Sequence, residues 1–470
     1  MLSLFPVSLT LVVSFVLSAL AVPSSSLPNG QSIPLQRKTR PSRTMDEWGE
    51  WAKAHRDMLA KKYGPGQPQK RGAGTNLITN QNSDSSFFGS LAIGTPPVSY
   101  NVILDTGSSD LWVAASNCTV GCSGVPTFNP TASSTFVSNG AAFKISYGSG
   151  EAAGTLGEDT VQMAGFSVSN QTFAACDVVS SGLLSSPVSG LLGLAFRSIA
   201  SSGATPLWEA LVSNGAWDSP LMAFQYLDDP TAQSLEPGGS FNLGFVNTTL
   251  FTGDIEYVEM PTRASYWILP MTSLTVQGTS VALPSGSEAY SAIDTGTTLV
   301  GGPSEYMNAL YSLIPGASPG SGNFEGYYTY PCDTAINVTV AFGGKNWPIS
   351  AADFRLTRLT RDTCLGAFFD LTTGRSAPSW IVGDTFLKNV YSVFRYDPPS
   401  IGFAELSSTA LALNGADGPV PTPTIGSAAA TVTATGRGRP SQSAATGLEN
   451  NLLIALTFVW TIILFSGIQL

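Results

Sequence analysis

The stretch Val102-Ile103-Leu104-Asp105-Thr106-Gly107-Ser108-Ser109 returns later in the chain as Ser291-Ala292-Ile293-Asp294-Thr295-Gly296-Thr297-Thr298. Each copy is an apolar run that ends in Asp, followed by Thr, Gly and two hydroxyl residues, which is typical of a strand entering a turn. The two Asp residues lie 189 positions apart. Because this interval is the size of a whole lobe, the repeat predicts two similar lobes with one Asp on each side of a cleft.

A second pair of glycine-containing apolar signatures supports the duplication. Gly190-Leu191-Leu192-Gly193-Leu194-Ala195 follows the first copy, and Trp380-Ile381-Val382-Gly383-Asp384 follows the second. The composition includes 48 Gly, 31 Pro, 43% hydrophobic and 11% charged residues, which favours turn-rich β structure over helical bundles. The sequence therefore predicts an all-β, bilobal fold with an N-terminal lobe at residues 72–246 and a C-terminal lobe at residues 247–406.

Charge and histidine content exclude several classes of function. The formal net charge of −10 argues against a nucleic-acid-binding surface. The single histidine, His55, lies in a segment that we predict is removed, so the mature protein would hold no Ser-His or Cys-His dyad and no histidine metal ligand. We therefore expect chemistry without a metal or another cofactor.

The N-terminal residues 1–21 are predicted to be a signal peptide. An apolar run from Leu9 to Leu20 closes with Ala19-Leu20-Ala21, the small-x-small pattern of a signal-peptidase site. A transmembrane anchor is the competing interpretation, but the run is short for a membrane span. The pattern favours secretion.

The C-terminal residues are predicted to form a stalk and a membrane-attachment signal. Residues 407–451 are rich in Ser, Thr, Ala, Gly and Pro, and residues 452–470 carry no charge. A type I membrane span is the alternative, but no basic cytoplasmic stop follows, which favours a GPI-attachment signal and localisation at the plasma membrane or cell wall. Ser441 and Ser443 are possible attachment points.

Residues 22–71 are predicted to be an inhibitory prosegment. They hold ten Lys or Arg against four acids, whereas residues 72–406 hold ten basic against 26 acidic residues. A basic segment that ends in Lys70-Arg71 ahead of an acidic body indicates a prosegment held by charge and cleaved at the dibasic pair. A basic linker is the alternative; Thr44 and Glu47 form a capping-box pattern that favours a docked helix.

The five cysteines leave one without a partner. Cys118 and Cys122 are close enough to close a small loop, and Cys332 with Cys364 could close a longer one, which leaves Cys176 as a buried free thiol. Four Asn-x-Ser/Thr sequons fit an extracellular glycoprotein, at Asn117, Asn170, Asn247 and Asn337.

From about Phe87 to Leu406 the body resembles the pepsin-family aspartic proteases, and the end segments resemble those of fungal members. The resemblance rests on the two Asp-Thr-Gly motifs and on Phe88-Gly89, Ile93-Gly94-Thr95-Pro96-Pro97, Leu111-Trp112-Val113, Ile145-Ser146-Tyr147-Gly148-Ser149-Gly150 and Ser201-Ser202-Gly203-Ala204-Thr205-Pro206. It implies a pepsin-like fold and a monomeric, secreted aspartic endopeptidase (EC 3.4.23.-) that acts on protein and peptide substrates.

Two facing carboxylates explain how such a protein hydrolyses peptides without histidine. Asp105 and Asp294 cannot both ionise cheaply at hydrogen-bonding distance, so they share one proton; pepsin is the known example. The ionised member then activates a water while the protonated member polarises the peptide carbonyl, which predicts an acidic optimum. The alternative, that each is an ordinary turn Asp before Gly, leaves the duplication unexplained.

The neighbours of the two Asp residues are predicted to support them. The glycines of the two motifs allow close backbone approach, Ser108 and Thr297 would hydrogen-bond the outer carboxylate oxygens, and by resemblance the two threonines cross-link the loops. These supporting residues are Thr106, Gly107, Ser108, Thr295, Gly296 and Thr297.

The resemblance also implies a flap and cleft residues. Tyr147 would be the aromatic tip of a flap that includes Gly148 and Ser149, with Trp112 as its hydrogen-bond partner; without the resemblance, Tyr147 would be an ordinary strand aromatic. Tyr266 resembles a subsite aromatic of the second lobe. Ser149 stands where several fungal relatives have an Asp, which favours a hydrophobic or aromatic preference over a basic one. Lys62-Tyr63 resembles the prosegment pair that plugs the cleft.

Two other classes of protein share these features. One is a pepsin-fold binding protein that has lost catalysis, and the other is a structural cell-wall glycoprotein. The intact Asp105, Asp294 and Tyr147 argue against the first. The second leaves the predicted cleft and prosegment without a purpose.

Overall fold

The computed structural model describes residues 44, 45, 53, 71–228, 235–262, 265–374, 377–415, 419–422, 428 and 430–434. Several predictions fall outside the described residues: the signal peptide, nearly all of the prosegment with its helix, Lys62-Tyr63 and Lys70, the attachment points Ser441 and Ser443, and the apolar tail at 452–470. Arg71 is the first residue of the continuous described body, and it is exposed.

The all-β prediction is confirmed, because strands form most of the described body. The strands of the N-terminal lobe are β1 (Gly74–Gln81), β2 (Ser86–Ile93), β3 (Val98–Asp105), β4 (Leu111–Ala114), β5 (Val137–Tyr147), β6 (Gly150–Met163), β7 (Phe166–Val179), β8 (Val188–Gly193), β9 (Leu221–Tyr226) and β10 (Leu235–Leu243). Helix α1 (Leu207–Ser213) accompanies them.

The C-terminal lobe is built from shorter strands. They are β11 (Phe251–Glu259), β12 (Ile268–Pro270), β13 (Ser273–Val276), β14 (Thr279–Ser280), β15 (Tyr290–Ile293), β16 (Val300–Gly302), β17 (Ser318–Pro319), β18 (Tyr328–Pro331), β19 (Val338–Ala341), β20 (Trp347–Ile349), β21 (Arg355–Arg358), β22 (Thr363–Gly366), β23 (Phe368–Asp370), β24 (Trp380–Val382), β25 (Val390–Arg395) and β26 (Ser400–Leu406). Its helices are α2 (Ser304–Ser312), α3 (Ala351–Phe354) and α4 (Asp384–Leu387).

One large sheet joins the two lobes. Its order is β11-β26-β25-β9-β10-β1-β2-β3-β8-β4-β7-β6-β5, so strands of the C-terminal lobe pair directly with β9 of the N-terminal lobe. A five-stranded sheet, β12-β15-β24-β16-β23, carries the second Asp motif, and two four-stranded sheets, β14-β13-β19-β20 and β17-β18-β22-β21, complete the described C-terminal lobe. The shared sheet fixes the lobes relative to each other.

Tight turns that need positive φ set the register of two hairpins. Met163 pairs with Phe166 across the two-residue loop Ala164-Gly165, and both loop residues have positive φ, 50° and 82°. Gln277-Gly278 joins β13 to β14 in the same way. Such loops match the right-handed twist of the flanking strands, and glycine at the second position adopts the required backbone without strain.

One large apolar cluster runs through both lobes, and aromatic side chains pack at their junction. Phe196 packs against Trp208 and Trp267, with ring centroids 5.2 and 4.5 Å apart. The Trp267 indole N–H donates to the Leu194 carbonyl at 2.9 Å, so the polar atom of this buried ring has a hydrogen-bond acceptor in the other lobe. The ends of β3 and β15 lie next to each other at this junction.

Part of the predicted stalk has regular structure. Helix α5 (Ser408–Leu411) follows β26, and strand β27 (Ala430–Thr433) pairs in parallel with residues 166–169 of β7. We call residues 407–434 the C-terminal extension. Within the described part of the chain, no helix has the length and apolar character needed to cross a membrane.

The disulfides join Cys118 to Cys122 and Cys332 to Cys364, and Cys176 is a buried free thiol. Burial raises the pKa of the Cys176 thiol, so it stays protonated and unreactive. Of the sequon asparagines, Asn117, Asn170 and Asn337 are exposed. The fourth, Asn247, is half-buried, and its side-chain oxygen accepts from the Thr249 amide at 3.1 Å.

Candidate active site

Both Asp-Thr-Gly motifs lie where a buried strand ends. Strand β3 ends at Asp105, and Asp294 directly follows β15. Each strand lies parallel to the glycine signature of its own lobe: Asp105 is in register with Gly193 of β8, and Ile293 with Val382 of β24. The two signatures that the sequence paired therefore form matching frameworks around the two carboxylates.

The two threonines of the motifs exchange hydrogen bonds between the lobes. The Thr106 amide donates to the Thr295 hydroxyl oxygen at 3.0 Å, and the Thr295 amide donates to that of Thr106 at 2.9 Å. The Thr106 hydroxyl donates to the Ile293 carbonyl at 2.8 Å, and the Thr295 hydroxyl to the Leu104 carbonyl at 2.6 Å. All four bonds are buried, so this network fixes one motif against the other.

Each carboxylate accepts two hydrogen bonds from its own turn. Asp105 accepts from the Gly107 amide at 2.8 Å and from the Ser108 hydroxyl. Asp294 accepts in the same way from the Gly296 amide at 2.8 Å and the Thr297 hydroxyl at 2.7 Å. These bonds hold both carboxylates in place, and those to Asp105 favour its ionised form.

The glycines of the motifs are required by close approach. A Cβ atom on Gly107 would lie 2.5 Å from an Asp294 carboxylate oxygen, and one on Gly296 would collide with the Asp105 carboxylate. Each turn therefore packs against the carboxylate of the opposite lobe. The same contacts show that the two Asp side chains share one small space.

Burial and the neighbouring Asp294 carboxylate change the acidity of Asp105. Asp105 is 5% exposed and Asp294 is 7% exposed. Burial raises the pKa of Asp105 well above its usual range, and the nearby charge of Asp294 raises it further. The hydrogen bond from Ser108 opposes this rise without cancelling it. Asp105 therefore retains a proton under conditions in which an exposed Asp is ionised.

A hairpin carries Tyr147 over the N-terminal carboxylate. Strands β5 and β6 meet at the pair Tyr147–Gly150, which leaves Gly148 and Ser149 as an exposed two-residue loop. The indole N–H of the buried Trp112 donates to the Tyr147 hydroxyl oxygen at 2.8 Å. Burial raises the Tyr147 pKa well above its usual value, and the Asp105 charge raises it further. The phenol is therefore a neutral group close to the site.

Tyr266 reaches the site from the C-terminal lobe. It is partly buried, and burial raises its pKa, with smaller contributions from the charges of Asp294 and Asp105. The structure thus places the sequence-predicted residues Tyr147, Trp112 and Tyr266 around one space, together with both Asp-Thr-Gly motifs.

Reasoning from the sequence missed two buried groups beside the pair. Tyr226, at the end of β9, is 2% exposed, and its pKa is raised by burial and next by the charge of Asp384. Asp384 is 3% exposed, and one of its oxygens has no hydrogen-bond partner among the described residues. Burial raises the Asp384 pKa well above its usual value, and Asp294 adds to this rise. The second glycine signature includes Asp384, but the pattern alone assigned it no role.

A buried ion cluster, also missed, links both lobes near Asp384. The Lys388 ammonium contacts Asp353 at 2.5 Å, Asp84 at 2.7 Å and Asp228 at 2.9 Å. Lys388 and Asp353 belong to the C-terminal lobe, whereas Asp84 and Asp228 belong to the N-terminal lobe. One ammonium group thus forms ion pairs with three carboxylates from distant parts of the chain.

Comparison with known proteins agrees with this geometry. The family model described as "Eukaryotic aspartyl protease" matches residues 86–406 and so includes both Asp-Thr-Gly motifs. The chain belongs to the eukaryotic aspartyl proteases. As an aspartyl protease of this family, it is an aspartic endopeptidase (EC 3.4.23.-), and its substrates are peptides.

The relatives of this aspartyl protease include fungal and animal enzymes. It is 45% identical over 425 residues to major aspartyl peptidase 1 of Cryptococcus neoformans var. grubii, a match that covers 83% of this chain and 86% of the relative. It is 33% identical to cathepsin D of Canis lupus familiaris (83% and 97% covered) and 32% identical to pepsin A of Sus scrofa (80% and 95% covered). The similarity thus extends over most of each protein.

Proposed function

We propose that Asp105 and Asp294 are the catalytic pair of an acid endopeptidase in which a water molecule held between the carboxylates attacks the peptide bond. The observation that carries the proposal is the exchange of contacts between the two motifs, in which each glycine packs against the carboxylate of the opposite lobe. Both carboxylates are buried, and each accepts hydrogen bonds from its own turn in the same arrangement.

The raised pKa of Asp105 favours it as the member that holds the shared proton. Asp294 then takes a proton from water, the oxygen attacks the peptide carbon, and Asp105 donates its proton to the carbonyl oxygen. In the second half, protonated Asp294 donates to the leaving nitrogen while Asp105 recovers a proton from the intermediate, and the C–N bond breaks. The starting protonation state returns without a covalent intermediate.

The remaining site residues have positioning roles in this proposal. Thr106 and Thr295 hold the two loops together, and Ser108 and Thr297 orient the outer carboxylate oxygens. Tyr147 and the Gly148-Ser149 loop form a flap over the bound peptide, braced by Trp112. With Ser149 at the tip, the flap loop itself has no carboxylate, which fits hydrophobic or aromatic side chains in the peptide.

The same proposal covers the biology of the chain. It is synthesised with a signal peptide and a basic prosegment that inhibits the acidic cleft until cleavage after Lys70-Arg71. The mature N-terminal and C-terminal lobes, 72–246 and 247–406, then act as a secreted monomer that is GPI-anchored at the plasma membrane or cell wall. Glycans are expected at the exposed sequons Asn117, Asn170 and Asn337; Asn247 is the sequon whose side chain is already engaged.

A pH profile tests the proposal. Peptide hydrolysis is measured from about pH 2 to 8 for the processed protein and for its Asp294→Asn variant, with and without a statine-type transition-state mimic. We expect acidic, bell-shaped activity that the mimic blocks and the substitution abolishes. A folded, processed parent without activity would instead favour the catalytically silent binding protein or wall glycoprotein.

A further inference from the structure

The C-terminal extension is attached to the body at its start. The Ser407 hydroxyl donates to the Thr249 carbonyl at 2.7 Å, and the Ser407 amide to the Leu250 carbonyl at 3.0 Å. Ala410 of α5 is fully buried. Further on, the Gly415 amide donates to the Asp228 carbonyl at 3.1 Å. The chain therefore does not leave the enzyme where the C-terminal lobe ends.

The middle of the extension lies on the N-terminal lobe. Pro419–Thr422 forms one wall of a cavity of about 600 Å³ whose other walls come from β1, β2, β3 and the β6–β7 turn. The extension has thus crossed from the C-terminal lobe to the N-terminal lobe before β27 begins.

Strand β27 completes the edge of β7. Strand β6 occupies one edge of β7, and β4 pairs with residues 174–176 on the other. Strand β27 pairs with residues 166–169, at the start of that second edge. Ala430 and Val432 are 8% and 4% exposed and join the main core, whereas Thr431 and Thr433 face solvent. This period of two is the pattern of an integral sheet strand.

Side-chain and backbone bonds fasten the end of the strand. The Ala434 amide donates to the Ser169 carbonyl at 3.0 Å, and the Ser169 hydroxyl lies 2.9 Å from that of Thr433 and 3.3 Å from the Val432 carbonyl. Without β27, residues 166–169 would present an unpaired strand edge.

We propose that the C-terminal extension is a strap that stays bound to the enzyme as far as Ala434. Only the chain from Ala434 to the attachment point at Ser441 or Ser443, which we call the leash, then connects the enzyme to its attachment surface. If the leash started at Leu406, the chain to Ser441 or Ser443 could span about 120–130 Å, at most ~3.5 Å per residue. Because the strap holds the chain to Ala434, the remaining residues span at most about 25–30 Å. A body of this size is about 50 Å across.

The leash is therefore shorter than the enzyme itself. The surface that the strap brings closest to the membrane or wall is the β7 edge of the N-terminal lobe. Substrates held on the same surface are then within reach only when they extend from it no further than about the length of the leash plus the width of the enzyme. The leash rests on the proposed lipid attachment, whereas the strap rests on the described contacts alone.

The strap is tested by hydrogen–deuterium exchange on the full chain. Val432→Asp places a charge in the core and should release the strand, whereas Thr431→Asp adds the same charge on the solvent face and is the matched control. We expect residues 430–434 and 166–169 to exchange at least roughly tenfold faster in V432D than in the parent or T431D. Equally fast exchange of residues 430–434 in all three proteins would overturn the strap.

The leash is tested with lipid-attached protein on vesicles that also display a peptide substrate on proline spacers. With the strap in place, cleavage should fall for spacers beyond roughly 80 Å, which is the length of the leash plus the width of the body and corresponds to about 26 prolines. The V432D variant should continue to cleave peptides on longer spacers. Equal cut-off lengths for the parent and V432D would overturn the leash. Protein that carries no lipid would also overturn it, and the exchange result would still decide the strap. A parent protein without peptidase activity in solution would instead count against the proposed function.

Discussion

The buried Lys388 cluster should make the stability of the enzyme depend on pH, and Asp228 is the group through which it does so. Asp84 and Asp353 are nearly inaccessible, whereas the Asp228 side chain is 20% exposed and is the furthest of the three from the ammonium. Burial raises the Asp228 pKa to about 7, and hydrogen bonding to Asp84 and the charge of Asp353 add to the rise, against the attraction of Lys388.

The sign of the effect follows from proton linkage. Folded protein binds a proton at Asp228 between about pH 4 and 7, and unfolded protein does not, so stability is fully present below about pH 4 and falls as the pH rises to 7. A carboxyl pKa raised from about 4 to about 7 corresponds to about 4 kcal/mol. Solvent screening at a partly exposed side chain lowers this, so we expect a loss of about 2–3 kcal/mol.

Asp228→Asn should remove this loss, because a neutral amide replaces the protonated carboxyl and can still donate to Asp84. The free energy of unfolding is measured by urea titration at pH 4 and pH 7.5, in the Asp294→Asn background so that self-digestion does not interfere. We expect the variant to match its parent at pH 4 and to exceed it by about 2–3 kcal/mol at pH 7.5.

Asp218→Asn is the control, since Asp218 is exposed and lies outside the cluster. It changes the net charge of the protein by the same amount. Equal pH dependence of stability in D228N and its parent would refute the reasoning, and so would an equal gain in D218N.

Two further predictions concern the flap and maturation. Trp112→Phe keeps an aromatic ring at this buried position but removes the donor to the Tyr147 hydroxyl, so kcat/KM should fall about tenfold, the equivalent of one hydrogen bond. Unchanged kinetics would show that the flap does not need this bond. Arg71→Ala should yield a larger secreted form, seen as a shift on a gel and by N-terminal sequencing, because the dibasic pair is lost; normal trimming would indicate self-processing instead.

Local patterns were enough to predict the centre of the site. Asp105 and Asp294 each end an apolar strand and precede the same turn residues, so the duplicated pattern specified both the strand ends and their pairing. The mutual contacts of Gly107 and Gly296 with the opposite carboxylates follow directly from this duplication. The all-β architecture was likewise visible in the composition.

Long-range partners were not visible in the sequence. Lys388 and Asp84 are 304 positions apart, and nothing near either residue indicates the other. Strand β27 was hidden for a different reason, because Ala-Thr-Val-Thr lies in a segment whose composition is typical of a stalk. Its strand character depends on the open edge of β7, which only the folded lobe provides.

The four bonds exchanged by Thr106 and Thr295 have a consequence for how the enzyme can change. Opening the cleft by separating the lobes at the motifs would break all four bonds and misplace both carboxylates at once. The Gly148-Ser149 loop has no such restraint, because it is exposed. The enzyme thus combines a rigid base, formed by the two motifs, with an exposed loop that is free to vary. If this loop is the proposed flap, we expect substitutions in it to alter which peptides bind without moving the two carboxylates.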